Sequence, residues 1–406
     1  MRQRISLLLI ALSLFATTGC RELHVLSVAP NRVQAGESAP LHITGAGFDG
    51  DTRLALAAPG LDITLGQLEV LSDSEATGSV PAAAPAGSYD VVALRGGDEA
   101  RLEGGLELVE GRARVVFIDV GQGDATLVVA PGGETLLIDG GPASRVASVE
   151  AALAEHADGH LEAVILTHFD ADHLAGLVEL LAGVDRVAGS GDDVRPSLTL
   201  GPRDDGSCGS NTCEKLRRLG AYPFEVAGVA ARFALGAVDV EVVAADGDVG
   251  SGPLPGIDDD NEHSVVVRVS FAGRTVLVTG DITGGGLGTT DLETPLAEVT
   301  GPIDVLRVSH HGSATSSAAG ALTAWQPRAA VLSLGTDNAY CHPDDDVLAR
   351  LAATGAGLFA TGHGIVDDGA RCGGPTEVPQ GARFGLGDIL LDIDAGGGME
   401  LAGRAL

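Results

Sequence analysis

The densest chemistry in the chain is Thr167-His168-Phe169-Asp170-Ala171-Asp172-His173-Leu174-Ala175-Gly176. His168, Asp170, Asp172 and His173 crowd one short loop, where a buried strand is expected to end and a helix to begin. Unpaired, these groups would repel one another and lose hydration at a cost; a divalent cation relieves both penalties. Imidazole and carboxylate are the ligand types of zinc or manganese at hydrolytic centres. A solvated acidic turn is the competing reading, and it does not call for histidine and aspartate in alternation. Further donors stand downstream in Thr279-Gly280-Asp281, Ser309-His310-His311-Gly312-Ser313 and Asn338-Ala339-Tyr340-Cys341-His342-Pro343.

Other clusters carry less. Asp258-Asp259-Asp260 lacks the glycine and the distant glutamate of a calcium loop, and Gly284 to Gly288 lacks the Lys-Ser/Thr ending of a phosphate loop. The whole chain of 406 residues has 25 Lys+Arg against 56 Asp+Glu, a net charge of -31, with 45% hydrophobic residues. That apolar share excludes global disorder. The acidity argues against a protein whose main task is gripping nucleic acid, because that affinity comes from cations on phosphates. Arg145, Arg203, Lys215, Arg217, Arg218 and Arg307 are the cations available near the chemistry; the run Lys215 to Arg218 also reads as a solvated helix face.

The elements that must position these residues begin after Gly111. Strands are expected at 115–118, 125–129, 135–138, 163–166, 238–243, 264–271, 275–278, 305–308 and 329–334, with helices at 147–156 and 316–325, which describes a layered α/β domain. Before it, residues 23–108 read as short β-runs (26–30, 39–48, 68–71, 89–94) broken by turns, an all-β sandwich. His24 and His42 are isolated there. Arg2 and Arg4 precede an apolar run from Ile5 to Ala16, too short to span a membrane but suited to an export leader. The four cysteines beyond Cys20 lie in polar loops. Bridges Cys208–Cys213 and Cys341–Cys372 are expected among three possible pairings, with a four-cysteine zinc site as the rival.

Three resemblances organise these readings. Thr17-Thr18-Gly19-Cys20 resembles a bacterial lipoprotein signal, with Thr17 departing from the usual leucine; it implies removal of residues 1–19 and a lipid on Cys20 that anchors the chain to a membrane surface. Residues 20–110, through Ser27-Val28-Ala29-Pro30 and Ile43-Thr44-Gly45-Ala46-Gly47-Phe48, resemble an IPT/TIG immunoglobulin-like domain. Residues 111–406 resemble the metallo-β-lactamase superfamily, with Asp170 in place of the middle histidine of H-x-H-x-D-H. That replacement, with Phe117-Ile118-Asp119-Val120-Gly121-Gln122-Gly123-Asp124-Ala125, Leu137-Ile138-Asp139-Gly140-Gly141 and Val308 to Ser313, is similar to the nuclease-like domain of the ComEC DNA-uptake branch.

The resemblance implies an αββα fold and a hydrolase. It implies metal ligands at His168, Asp170, Asp172, His173, Asp281, which bridges two ions, and His310. Asp172, His311 and His342 become catalytic, with His342 also an alternative to His310 as the last ligand. Asp139, Asp119 and Asp124 stand behind the ligands, and Ser313, Asn261 and Ser264 face substrate. A further histidine usual in the superfamily between metal loop and bridging aspartate is missing, so one tightly held ion and a weaker second are expected, zinc or manganese. The implied reaction is hydrolysis of a phosphodiester, single-stranded DNA included, by a metal-activated water. Hydrolysis of another ester, a lactone or a β-lactam is the alternative, as is a non-catalytic surface protein whose β-sandwich binds a partner.

Overall fold

The computed structural model describes residues 22–35, 38–81, 83–109, 111–206, 208–250, 252–257, 259–367 and 369–406. The expected leader and Cys20 lie outside them. Among the described residues no helix is long and apolar enough to cross a membrane. The chain divides into two compact units, Met1–Glu110 and Gly111–Leu406.

In the first unit a four-stranded sheet (His24–Ala29, Ala39–Ala46, Glu75–Val80, Gly66–Val70) and a five-stranded sheet (Arg32–Gln34, Asp98–Val109, Gly87–Arg95, Arg53–Ala58, Leu61–Thr64) share one apolar core. Alternation drives it: Leu41 and Ile43 point inward from Ala39–Ala46 while His42 stays exposed. A side chain at Gly45 would lie 2.1 Å from the His24 carbonyl oxygen and 2.4 Å from Phe48, so the corner admits only glycine. Several strands escaped the sequence reading. Asp98–Val109 is rich in charge and glycine, and Arg53–Ala58 is rich in alanine, so neither advertises β structure.

The second unit is built on two stacked sheets of nine and seven strands. In the first, Arg112–Phe117, Thr126–Val129, Thr135–Ile138, Ala163–Ile165 and Leu198–Gly201 lie side by side. In the second, Val266–Phe271, Arg274–Val278, Val305–Arg307, Ala329–Leu332 and Gly357–Ala360 do the same. Most central strands are apolar on both faces, with Arg307 and Arg268 as charged exceptions. Val115, Phe117, Leu136, Ile138, Val276, Val278, Val305 and Val331 meet between the sheets. Val116, Leu137 and Val164 face the helices Val146–His156 and Ala171–Leu181, and Leu277, Leu306 and Leu332 face Glu293–Thr300, Ala319–Trp325 and Asp345–Ala353. The result is a four-layer αββα domain, as the continuous apolar runs require. Each such fully buried aliphatic side chain contributes about 1.5–3 kcal/mol.

Boundaries move where side chains have other work. The strand expected from Ser264 starts at Val266, because Ser264 caps the helical turn Asp260–His263 and its hydroxyl meets the Asp281 amide. The helix expected from Ser316 starts at Ala319, because the Ser316 hydroxyl bonds the carbonyls of Ser309 and Ser313. Thr135–Ile138, Ala163–Ile165 and Leu198–Gly201 run parallel, as do Arg274–Val278, Val305–Arg307 and Ala329–Leu332. The loops leaving the carboxyl ends of these strands carry the candidate site, where open α/β sheets bind ligands.

Candidate metal centre

The first sheet supplies a relay through one carboxylate. Asp139 follows its strand in a left-handed conformation, φ 59°, and is fully buried. Its Oδ1 accepts the Thr167 amide at 2.8 Å; its Oδ2 accepts the Thr167 hydroxyl at 2.7 Å and His173 Nδ1 at 2.7 Å. The Thr167 hydroxyl has spent its proton on Asp139, so it accepts from His168 Nδ1 at 2.9 Å. Both imidazoles therefore carry their proton on Nδ1 and present the lone pair of Nε2 inward, the arrangement of a metal-binding histidine. His168 Nε2 is buried without a hydrogen-bond partner, and Asp170 Oδ2 stands 3.7 Å from it. The helix bearing His173 is seated by glycine contact: a β-carbon on Gly176 would fall 1.9 Å from the Gly140 carbonyl oxygen.

The second sheet supplies the other side through backbone and a guanidinium. The Asp281 amide donates to Ser264 Oγ at 3.1 Å, which fixes the carboxylate's stem. Arg307, fully buried, pairs with Asp124 at 2.7 Å and Asp281 at 3.3 Å and donates to the Gly280 carbonyl at 2.6 Å. After Arg307 the chain passes through left-handed conformations at His310 and His311, φ 49° and 54°, each a local cost that the surroundings must hold in place. The turn aims His311 inward. Its Nδ1 donates to the Ser333 carbonyl at 2.8 Å, so Nε2 faces the pocket, 3.3 Å from His173 Nε2, 3.3 Å from Asp281 Oδ2 and 3.4 Å from Asp172 Oδ2. Behind the turn, buried Glu293 accepts the amides of Ser317 and Ala318, and Arg350 donates to the carbonyls of Ser316 and Ser317. Burial pushes the Glu293 carboxyl up, against those hydrogen bonds.

Electrostatics agree with a site built for positive charge. Burial opposes a charge on His311, but Asp281 and Asp172 outweigh it and push the imidazole up to about 9; His173 is raised in the same way by Asp281 and Asp139. Asp281 and Asp172 are held low by His173 and His311 against their own burial. Two Nε2 lone pairs facing each other at 3.3 Å call for a proton or a cation between them. Donor atoms of His168, His173 and Asp281 lie within 4.8 Å of one another, as do those of Asp172, His173 and His311. The orphaned His168 nitrogen, the imidazole and carboxylate donors and the enforced tautomers together fit a divalent ion.

Several expected placements change. His310, expected among the ligands, is the more peripheral of the pair: its Nε2 lies 3.9 Å from Asp281 Oδ2, and its Nδ1 meets the Thr315 hydroxyl at 2.9 Å. His311, expected to face substrate, occupies the interior, because the kink at these two residues exchanges their directions. Burial lowers His310 and, with His311 and His310 as neighbours, lowers His342 to about 4. The His342 ring lies 5.7 Å from His310 and 6.5 Å from His311, and Tyr340 stacks on it at 5.9 Å. Asn338 holds that loop, accepting the His342 amide and donating to its carbonyl. Disulfides join Cys208 to Cys213 and Cys341 to Cys372.

Ser264 is 3.4 Å from His168 Nδ1 and buried, so it braces the pocket instead of facing substrate. Ser313, also buried, accepts the Thr315 hydroxyl behind His310. Asn261 is buried beside the Asp259 cap with its Oδ1 unpartnered and makes no contact with the ligand cluster among those observed. Asp124 lies behind His173 with Asp139. Asp119 does not: it accepts the Gly121 amide in a separate polar cleft with Gln122 and Arg145. Arg307 is an interior cation, not a surface one, while Lys215 and Arg217 are neutralised by Glu179 and Asp204. Thr167, Asn338 and Glu293 have no role in the sequence expectations; Thr167, directly before the metal loop, and Asn338, in the His342 stretch, stand inside the motifs, whereas Glu293 carries no signal.

The model of the metallo-beta-lactamase superfamily matches residues 118–336. Competence protein ComA of Neisseria gonorrhoeae is 42% identical over 105 residues, 25% of this chain and 14% of that protein. Recombination protein 2 of Haemophilus influenzae is 30% identical over 242 residues, 59% of this chain and 26% of the relative. The chain thus matches about a quarter or less of either relative's length. A solved putative metallo-beta-lactamase from Thermotoga maritima aligns at 15% identity and a TM-score of 0.31, over 48% of this chain and 94% of its own. With more than half of its 406 residues inside the matched segment, the chain belongs to the metallo-beta-lactamase superfamily of metal-dependent hydrolases.

Proposed function

We propose that this protein is an exported, lipid-anchored phosphodiesterase whose catalytic unit is residues 111–406 and whose IPT/TIG-like β-sandwich, residues 20–110, is its spacer or docking module. The observation that carries the reading is the convergence of the His168, His173 and His311 Nε2 atoms on Asp281 and Asp172. His168, Asp281 and Asp170 would hold one zinc or manganese ion; Asp172, His173, His311 and Asp281 would hold the other. The ion supplies a Lewis acid that makes water nucleophilic near neutral pH.

The chain's own residues do the rest. Asp139 and Thr167 fix both imidazole tautomers of the metal loop. Asp172 stands at the pocket's edge, within reach of the His311 ring at 3.4 Å, where it orients the attacking water and accepts its proton. His342, stacked on Tyr340 and His311 with His310 edge-on, would hydrogen-bond the leaving oxygen. Similarity to a competence protein and a recombination protein, by name, supports a nucleic-acid diester over other esters. The two disulfides support an oxidising destination, and Cys20 supports lipidation.

The test is metal analysis together with hydrolysis of bis(p-nitrophenyl) phosphate by the full chain. Wild type is expected to retain a divalent metal and lose activity to a chelator, and His173→Ala to lose both metal and at least about a hundredfold in rate, as expected for a ligand to the metal. A purified protein that binds no metal, or one that opens lactones or β-lactams and leaves diesters intact, overturns the reading. Cys20→Ser should release the protein from membranes.

A further inference from the structure

A groove leaves the metal centre on the His168 side. Its inner hollow, about 210 Å³, is lined by His168, Phe169, Pro202, Arg203 and His263; its outer hollow, about 230 Å³, by Phe169, Pro202, Arg203, Tyr222 and Phe224. Phe169, Pro202 and Arg203 belong to both, so the two hollows adjoin across a shared wall, and together they reach the size of a small-molecule site, about 300–1,000 Å³. The chain is poor in aromatic residues, with 9 Phe, 3 Tyr and 1 Trp, yet three aromatic rings gather here. Phe169 and Phe224 are half-buried on the helix-side core. A β-carbon on Gly201 would stand 3.2 Å from the Phe224 ring, so glycine leaves room for that ring to approach the end of the strand.

The wall is fixed in advance. Arg217 forks onto Asp204 with two bonds of 2.7 Å, the Tyr222 hydroxyl donates to Asp204 at 2.9 Å, and Cys208–Cys213 closes the loop that follows. Arg203 is exposed at the junction of the two hollows, and its guanidinium has no ion-pair partner among the described residues. Beyond it the inner rim is acidic, with Asp205, Asp246 and Asp260.

From this geometry we infer that the groove is a nucleoside subsite: a base stacks among Phe169, Tyr222 and Phe224, and Arg203 meets a phosphate of the same nucleotide, next to the one held at the metal centre. Flat rings beside a free cation suit a base and its phosphate; a fatty acyl chain would have no use for the guanidinium. The acidic rim and the net charge of -31 repel a run of phosphates, so the ligand is a short nucleotide diester or a strand end and not a long duplex. The inference deepens the phosphodiesterase reading and rests on it for the bond that is cut.

Saturation-transfer NMR on the full, chelated protein tests it, with thymidine 5′-monophosphate as ligand and deoxyribose 5-phosphate as the base-free control. The base methyl and ring protons should receive the strongest transfer, and the control should bind at least about fivefold more weakly, the low end of what base stacking is worth. Phe224→Leu and the exposed Arg203→Ala should each weaken the nucleotide about fivefold or more, with unchanged melting temperature for Arg203→Ala. Equal binding of the two ligands, or affinity unmoved by Arg203→Ala, overturns the subsite. Thymidine diesters cut at normal rates by both variants would do so while leaving the phosphodiesterase reading intact; nucleotide binding as expected without any diester hydrolysis would remove that reading and leave the subsite standing.

Discussion

The two halves of the candidate metal centre are held by different means. The side from the first sheet, His168 to His173, hangs on side chains: one carboxylate, Asp139, receives Thr167 and His173 directly and His168 through the Thr167 hydroxyl. The side from the second sheet hangs on a buried guanidinium and on peptide groups, with Arg307 bonded to Asp124, Asp281 and Gly280 and His311 bonded to the Ser333 carbonyl. A relay of side chains tunes donors and barely touches the fold. A buried cation among carboxylates is part of the fold itself, because removing it strands charges in a low dielectric.

The largest effect should therefore come from the second side. Arg307→Met leaves Asp124 and Asp281 without their cation and should destabilise the metal-free protein by about 3–5 kcal/mol in urea unfolding; a loss below about 1 kcal/mol would erase the contrast. On the first side, Asp139→Asn keeps the shape and removes the carboxylate that fixes both tautomers. It should weaken metal binding about 10–100-fold in a competition titration and change unfolding far less than Arg307→Met. Gly176→Ala forces the metal-bearing helix off Gly140, where 1.9 Å is available to a β-carbon. About 1–3 kcal/mol of stability should go with it, together with weaker metal retention.

The smallest effect belongs to the half-buried ion pair on the groove wall. Arg217, with Tyr222, holds the Asp204 carboxyl down to about 2, below the ordinary value of about 4. A carboxylate lowered in the folded state adds stability above its unfolded pKa and loses it as pH falls through the folded one. Asp204→Asn should thus melt slightly earlier than wild type at pH 7, and the gap should close between about pH 4 and pH 2. A constant gap would show that the fork contributes through packing alone.

The same asymmetry decided what could be read from the sequence. The first side is contiguous, so His168, Asp170, Asp172 and His173 stand together in the text, and Asp139 follows a strand whose apolar run is plain. The αββα layers were legible for the same reason: central strands such as Thr135–Ile138 are apolar on both faces. The second side is assembled from distant loops, and its internal order depends on backbone angles. Nothing in Ser309-His310-His311-Gly312 states which imidazole turns inward; φ of 49° and 54° does. Arg307 reads as any other surface cation until Asp124, far away in the chain, is brought against it. Ser313 follows the His310-His311 pair and Ser264 matches a recurring position of the resembled family, which implies that both face substrate, whereas their hydroxyls are consumed in holding Asp281 and Thr315.

Cys341 immediately precedes His342, and its bond to Cys372 spans 31 residues. The loop that carries His342 is thus tied by chemistry that depends on surroundings and not on packing alone. In a thiol-rich compartment the loop would keep its Asn338 hydrogen bonds and its ring contacts with Tyr340, His310 and His311 as restraints, and oxidation would add the covalent one. The order of the His342 loop would then follow the redox state of the space the protein occupies.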